Sequence, residues 1–329
     1  MAQSSQQGRG ACMLTPVAEV AQTEQISTRT PQVSRVKGCF FETDRFAEGL
    51  DFGLATDHDA LEQAFRLLHD QYVAQGYMEP HPSGLRLNIH NALPSTRVFV
   101  ARAGRRVMGT MTLIVDSQLG LPMDEIYADN LGALRNRQRR LTEASGLALD
   151  PECHRSGVPV LMRIIRLVTL HAAEVLRSND ICIAVNPRHA AFYRKVFHFE
   201  DIGGMKPYGK VNGAPAVALR LDCDLLRTFV NELREGRSVA SEVYSFLYRK
   251  AEADRALSRL ARDVDEVSQR ENLPHFFSRH EVWAKASLAQ RSHLLKCYGL
   301  EGLPASRNRE VVDLCDVTDY GNCPGLALA

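Results

Sequence analysis

The sequence has little net charge and few unusual residues: 40 Lys and Arg stand against 39 Asp and Glu over 329 residues, with a single Trp. A formal charge of +1 argues against a protein that grips duplex nucleic acid with its whole surface, because neutralising many phosphates takes a marked basic excess. No apolar run reaches the length of a bilayer span. The opening MAQSSQQGRGACMLTPVAEVAQ also lacks the apolar core of a signal peptide. A chain without a transmembrane segment, working in the cytoplasm, is therefore expected. The eight Cys (12, 39, 153, 182, 223, 297, 315 and 323) form no CxxC pair and are too sparse for a disulfide scaffold, which speaks for a reducing compartment and against structural zinc. The eleven His include no HExxH spacing, and no GxGxxG or P-loop follows a strand pattern, so neither a metal nor a permanently bound cofactor is expected.

What is present is a globular chain. Hydrophobic residues make up 45% of it, enough to bury a sizeable core and too many for wholesale disorder. Residues 1–38, rich in Ser, Thr, Gln and Ala, read as a flexible leader, and residues 301–329 as a flexible tail. Between them, 39–224 mix strand and helix signals, and 225–300 carry helical signals alone, read from Leu225 to Leu233, Val243 to Val267 and Arg279 to Tyr298. The last of these is introduced by a capping box, Ser278-x-x-Glu281.

Within 39–224 the order is helix, hairpin, helix, strand, helix, strand, helix, hairpin. A capping box at Thr56 and Asp59 opens the first helix, along which Leu61, Phe65, Leu68 and Tyr72 recur at helical spacing. Tyr77 to Leu93 has no period and reads as a loop. Arg97–Arg102 and Arg106–Asp116 flank a turn at Ala103-Gly104, and a helix through Ile126, Leu131 and Leu134 follows the break at Gly120-Leu121-Pro122. Leu141–Leu149 is a strand, 159–177 a strongly apolar helix, Asp180–Val185 a buried strand, and 188–197 a helix capped by Asn186-Pro187. Tyr208–Val211 and Pro215–Leu221 flank Asn212-Gly213, a strong short hairpin signal. This order predicts a mixed α/β sheet covered on both faces.

The chemistry-bearing segment is Ile181 to Gly203, ICIAVNPRHAAFYRKVFHFEDIG. A strand ending in Asn, then a helix with Tyr seven residues on, resembles the N-acetyltransferase (GNAT) fold. That resemblance implies a gap between two strands holding the pantetheine arm of an acyl thioester, with Asn186 contacting the arm and Tyr193 protonating the departing sulfur. As plain structure, Asn186 is a good helix cap and Tyr193 ordinary core. The loop that would hold a CoA diphosphate, Pro151 to Pro159, has one Gly, two preceding acids and a Pro that removes a donor. A donor bearing pantetheine with a single phosphate asks less of it, so Arg155, Ser156 and Gly157 are the candidate pantetheine contacts.

From about Phe52 to Asp224 the sequence resembles the bacterial N-acyl amino acid synthases of the N-acyltyrosine synthase type, relatives of the acyl-homoserine-lactone synthases. The likeness rests on the GT-x-TLI-x-D run Gly109–Asp116, Gly120-Leu121-Pro122, the E-x-S strand Glu143–Ser145, Asn186-Pro187-Arg188-His189, Phe192-Tyr193 and Val211-Asn212-Gly213-Ala214. Gly146 stands where the lactone synthases place an Arg. The resemblance implies transfer of a long-chain acyl group from the phosphopantetheine of acyl carrier protein to the amine of a small amino acid. Amine deprotonation calls for a base, for which Glu143 is the candidate, or else a buried acid paired with an Arg. Backbone N–H groups at Ala148 and Leu149 are the candidate oxyanion donors. Cys153 beside His154 resembles a nucleophile pair, but adjacent side chains rarely face each other and no third group orients them, so direct amine attack is expected.

An acidic carrier protein would meet a basic patch, for which Arg135, Arg137, Arg139, Arg140, Arg163 and Arg166 are candidates, with Arg188 and Lys195 nearby; a solvated basic face is the plain alternative. Among Arg86, Arg97, Arg102 and Arg188 nothing selects the partner of the acceptor's carboxylate. Val98, Val100, Met111, Leu113 and Phe192 are candidate walls of an acyl tunnel. An acyl-CoA-dependent N-acetyltransferase, an autoinducer or exosortase-associated acyltransferase, and a carrier-protein-binding scaffold without turnover stay open as alternatives.

Overall fold

The computed structural model describes residues 49–153, 157–235, 246–248, 253, 255–258, 260, 276–277 and 280–299. The leader and tail expected at 1–38 and 301–329 lie outside these, as do 16 of the 25 residues of the helix expected at Val243–Val267. Seven strands form one sheet: β1 (Leu50–Leu54), β2 (Arg97–Ala103), β3 (Arg106–Val115), β4 (Leu141–Leu149), β5 (Asp180–Val185), β6 (Glu200–Tyr208) and β7 (Ala214–Asp222). Their order across the sheet is β1-β2-β3-β4-β5-β7-β6, and β4 with β5 is the parallel pair in an otherwise antiparallel set.

The helices follow from the periodicity. Helix α1 (His58–Ala74) buries Leu61, Phe65 and Leu68, and its cap is Asp57, whose carboxylate accepts the Ala60 N–H at 2.8 Å, one residue on from the Thr56 of the expected capping box. Helix α2 is Asp124–Arg135 and helix α3 is Gly157–Leu170, which runs on into a single π turn at His171–Val175. Helix α4 (Pro187–Phe197) starts at Pro187 with Asn186 as its cap, and α5 is Cys223–Arg234. Two short helices follow, α6 (Val282–Lys285) and α7 (Leu288–Cys297); the observed capping box of this region is Ser287 with Gln290, whereas Ser278 lies outside the described residues.

Side chains alternate along each strand, so the core divides by face. Val98 and Val100 on β2 join α1 in one cluster, while Phe99 and Ala101 on the same strand join α3 and α4 in another. Helices α1 and α2 therefore cover one face, and α3, α4 and α5 the other. This mixed, doubly covered sheet is the GNAT-like arrangement that the resemblance implies. Two strands escape the sequence reading. β1 is only five residues long, and β6 is a largely exposed edge strand interrupted by Gly203-Gly204 and Pro207, all poor strand signals. The Asn212-Gly213 reversal is wider than the expected two-residue turn: Tyr208 pairs with Ala214, Gly209–Val211 form a 3-10 turn where a strand Tyr208–Val211 is expected, and Asn212 and Gly213 close the loop with positive φ (54° and 73°).

The C-terminal helices pack on the outside of α1. Phe276 meets Phe65 edge to face at 5.3 Å, and the Tyr298 hydroxyl donates to the Ala92 carbonyl at 2.8 Å. The segment 85–88 is extended and lies between the two: Leu85 and Leu87 are buried against this C-terminal cluster, whereas the intervening Arg86 and Asn88 face a cavity.

Candidate active site

The parallel strands β4 and β5 are bonded only through Leu141–Glu143 against Asp180–Cys182. Beyond that point each strand follows its other neighbour: β4 stays with β3 from Ala144 to Leu149, and β5 stays with β7 through Val185. The cause is local. The register between β3 and β4 shifts opposite Thr110–Thr112, giving β4 an extra residue, and Gly146 takes φ 61° there. Such a bulge bends the strand that carries it, and a residue without Cβ adopts that backbone cheaply.

The closed end of the slot is held by charge. Asp180, fully buried, accepts ion pairs from Arg139 and Arg220, and Arg139 also reaches Asp222 at 3.0 Å. The open end lies toward Leu149 and Val185.

A cavity of about 320 Å³ runs through this gap and is lined from both faces of the sheet. On the α3–α4 side its wall is apolar, with Leu161, Ile165 and Val168 one helical face apart on α3, and Phe192 and Tyr193 on α4. On the α1–α2 side it is polar, with Tyr72, Arg86, Asn88, Asn91, Tyr208 and Lys210. Glu143 stands where the strands part.

Glu143 is 2% exposed and lines the cavity. Its Oε2 accepts the Met123 N–H at 2.8 Å, just before α2, and among the described residues that is the carboxylate's only hydrogen-bond donor. Burial pushes its carboxyl well above the usual range, against the opposing pull of the Met123 amide and the Lys210 ammonium. It is therefore not the salt-bridged acid that the plain alternative expects: no Arg pairs with it among the described residues. Tyr193 packs against Phe192, Phe197 and Phe199, and its hydroxyl has no hydrogen-bond partner among the described residues. Burial, with the neighbouring Tyr72 second, pushes that phenol up to about 12, so it stays protonated.

Asn186 lines the cavity, but its Oδ1 is already engaged as the α4 cap, accepting the Arg188 N–H at 3.1 Å. Ala148 and Leu149 line it on the free side of β4, and Gly157 lines it at the first turn of α3. Arg155 and Ser156, with His154, lie outside the described residues. Cys153 is buried, with Sγ 3.5 Å from the Met108 carbonyl.

The expected basic patch is largely redistributed. Arg135 is locked between Asp116 (2.7 Å) and Asp124 (2.6 Å), and Arg139 spends its charge on Asp180, Asp222 and Asp224. Arg166 is buried, donating to the Leu247 carbonyl at 3.1 Å beside the Phe246 ring, and Arg163 lies over the Phe52 ring at 5.4 Å. Arg137 and Arg140 are exposed, yet they precede β4 at the closed end. A nine-residue strand, about 26 Å at 3.3 Å per residue, separates them from the slot's mouth. Arg135, Arg139, Arg163 and Arg166 are thus engaged within the fold, and Arg137 and Arg140 lie exposed but far from the mouth. Arg188, exposed in the first turn of α4 just after Val185, is left at the opening, whereas Lys195 lies two turns further along the helix, next to the Arg194–Asp201 pair.

Of the four arginines considered for a carboxylate, Arg86 alone lines the cavity. Arg97 donates to the Pro94 and Thr96 carbonyls, Arg102 faces Asp51 and Asp57, and Arg188 leans on Asn186. Met111 and Phe192 line the cavity as proposed for the tunnel; Val98, Val100 and Leu113 are core instead. The residues that sequence reasoning missed are Tyr72, Tyr208 and Lys210. Tyr208 and Lys210 both donate to the Pro122 carbonyl, at 2.9 and 2.8 Å, joining two segments 86 and 88 residues apart that share no motif.

Comparison with known proteins bears on this geometry. Residues 63–222 match the family described as N-acyl amino acid synthase FeeM. Among solved structures, FeeM, an N-acyl amino acid synthase from uncultured soil microbes, is 29% identical, covers 54% of this chain and 93% of its own, and superposes with a TM-score of 0.49. The CoA-dependent acyl-homoserine lactone synthase MesI is 17% identical over 60% of this chain and 94% of its own (TM-score 0.42). The ribosomal-protein-S5-alanine acetyltransferase from Vibrio fischeri is 16% identical over 54% and 94% (TM-score 0.37). No curated protein matches the chain. The segment 63–222 that matches this family of acyltransferases holds the slot, Glu143 and Tyr193.

Proposed function

We propose that the protein transfers a long-chain fatty acyl group from the phosphopantetheine thioester of acyl carrier protein to the amine of an amino acid. The observation that carries this reading is the through-going slot: it opens on an apolar wall on one face of the sheet, on a polar chamber on the other, and has where the strands part a buried carboxylate with no ion pair among the described residues.

In this reading the pantetheine arm enters between the open ends of β4 and β5, and the acyl tail lies against Leu161, Ile165 and Val168. The acceptor amine approaches from the α1–α2 side. Its nitrogen bonds to the thioester carbon while a proton passes to Glu143, whose raised proton affinity suits a base working near neutrality. The Leu149 amide, which strand alternation turns to the side of β4 that β5 leaves, receives the oxyanion; that of Ala148 is turned toward β3, as the Asp150 N–H is to the Met108 carbonyl. The C–S bond then breaks, and Tyr193 gives the departing thiolate a proton. A carrier protein docks at the open end, where Arg188 offers positive charge.

The test is direct. Purified protein is incubated with the twenty amino acids and either palmitoyl-carrier protein or palmitoyl-CoA, and products are identified by mass spectrometry. An N-acyl amino acid formed with at least tenfold higher kcat/KM from the carrier protein is expected. Preference for CoA would overturn the donor assignment, and acetylated products from acetyl-CoA in place of acyl amino acids would overturn the reaction.

A further inference from the structure

Among the described residues Arg86 is a cation without a counter-ion. Its guanidinium stacks over the Tyr72 ring at 4.1 Å, donates to the Lys210 carbonyl at 2.7 Å and to the Met78 sulfur at 3.4 Å. Two of its five N–H donors are thereby used, and no carboxylate pairs with it among the described residues. Burial lowers its proton affinity, which is the mark of a charge short of compensation. Lys210 is the adjacent case: its ammonium bonds the Pro122 carbonyl and lies 3.8 Å from Glu125, and burial lowers its affinity too. Both side chains line the polar chamber that Glu143 also faces. Lys210 has Glu125 beside it, whereas Arg86 has no carboxylate among the described residues, so its guanidinium is the charge in the chamber left for an anionic group.

We propose that Arg86, seconded by Lys210, binds the carboxylate of the acceptor, so that the chamber accepts α-amino acids and discriminates against amines that lack the acid group. This rests on the acyl-transfer reading above and names the recognition element within it. The zwitterionic head group matches the chamber's order of charges. Its carboxylate meets the planar guanidinium fork, which suits bidentate pairing, and its amine, one carbon away, is left toward Glu143 and the slot. The Tyr72 face fixes the plane of the fork from behind. Leu85 and Leu87, buried on the opposite side of the same extended segment, fix its backbone against the C-terminal cluster.

The test compares the amino acid that the wild-type protein acylates best with its carboxamide and with its decarboxylated amine, all with one saturating acyl donor. In the wild type kcat/KM should fall about ten- to a hundredfold for the two analogues, the range for losing hydrogen bonds to a charged group. In Arg86→Gln the acid should lose that advantage, so the acid-to-carboxamide ratio of kcat/KM collapses toward one whatever the variant's absolute rate; Lys210→Gln should shrink it less. Emission of the single tryptophan, Trp283, buried in the cluster behind Leu85 and Leu87, checks that the variants are folded. If Arg86→Gln does not fold, the wild-type ratio and Lys210→Gln decide. Equal use of acid and carboxamide by the wild type, or a ratio unchanged in the folded variants, would overturn the proposal while leaving acyl transfer intact. Acylation of no amino acid at all would overturn the acyl-transfer reading as well.

Discussion

Replacing Glu143 by Gln separates chemistry from architecture. The two side chains are nearly isosteric, and an amide oxygen still accepts the Met123 N–H that Glu143 takes at 2.8 Å, so the slot keeps its shape. What is lost is the base. Positioned general bases contribute about 10²–10⁴-fold, so kcat/KM should fall by that factor, about 3–5 kcal/mol in the barrier. The pH dependence gives a second reading. Because burial raises the carboxyl's proton affinity, the wild-type rate should climb with pH through a limb lying above the ordinary carboxylate range, and the variant should lack it. Lys210, Asp124, Tyr72 and Tyr208 also face this region. Lys210 opposes the shift, Asp124 reinforces it, and the two buried phenols stay protonated through the window.

Stability moves the other way. A folded-state carboxyl with raised affinity favours folding below its unfolded value and loses that contribution as pH rises through the folded one. The Glu143→Gln variant should therefore melt no lower than the wild type at neutral pH, with an advantage that grows toward alkaline pH. Stopped assays of thiol release, with differential scanning fluorimetry across pH, check both. Product formation within threefold of wild type, or an unchanged acidic limb, would remove Glu143 from the mechanism.

Four further outcomes follow from the geometry. Tyr193→Phe should slow kcat by no more than about tenfold, since a thiolate of reference pKa about 8.5 departs with little help, and should leave the acceptor KM unchanged in steady-state assays. Gly146→Ala places a Cβ 3.2 Å from the Leu68 side chain at φ 61°; it should cost about 1–2 kcal/mol by denaturant titration and raise the donor KM as the bulge relaxes. Arg139→Ala should lower stability by up to about 3 kcal/mol in the same titration, because buried Asp180 keeps only Arg220, with no change in carrier-protein KM, whereas Arg188→Glu should raise that KM. Tyr298→Phe frees the Ala92 carbonyl next to the segment carrying Arg86, and steady-state kinetics should show a severalfold higher acceptor KM with the donor KM unmoved.

The short-range features were legible in the residues because their causes are short-range. Periodicity located α1, α3 and β5 to within a few positions, Asn186-Pro187 located the start of α4, and Asn212-Gly213 located the hairpin turn. The E-x-S strand and the Asn…Tyr spacing brought Glu143 and Tyr193 forward, and both line one cavity. Charge clustering misled. A run of arginines before β4 looks like a surface patch, but Arg135 and Arg139 are drawn inward by aspartates 11 to 85 residues away in the chain, Asp116, Asp124, Asp180, Asp222 and Asp224 among them.

Local sequence thus determined most of the elements, β1 and β6 excepted, because helix periodicity, capping and turn conformation are decided within a few residues. Only the tertiary structure decided which end of β4 opens, since a slot exists where neighbouring strands follow different partners, a relation between segments and not a property of any one. It likewise decided which cations are free to meet a ligand. Arg86 and Arg135 carry the same guanidinium, and the difference between a recognition group and a structural staple is whether a carboxylate from elsewhere in the chain folds against it.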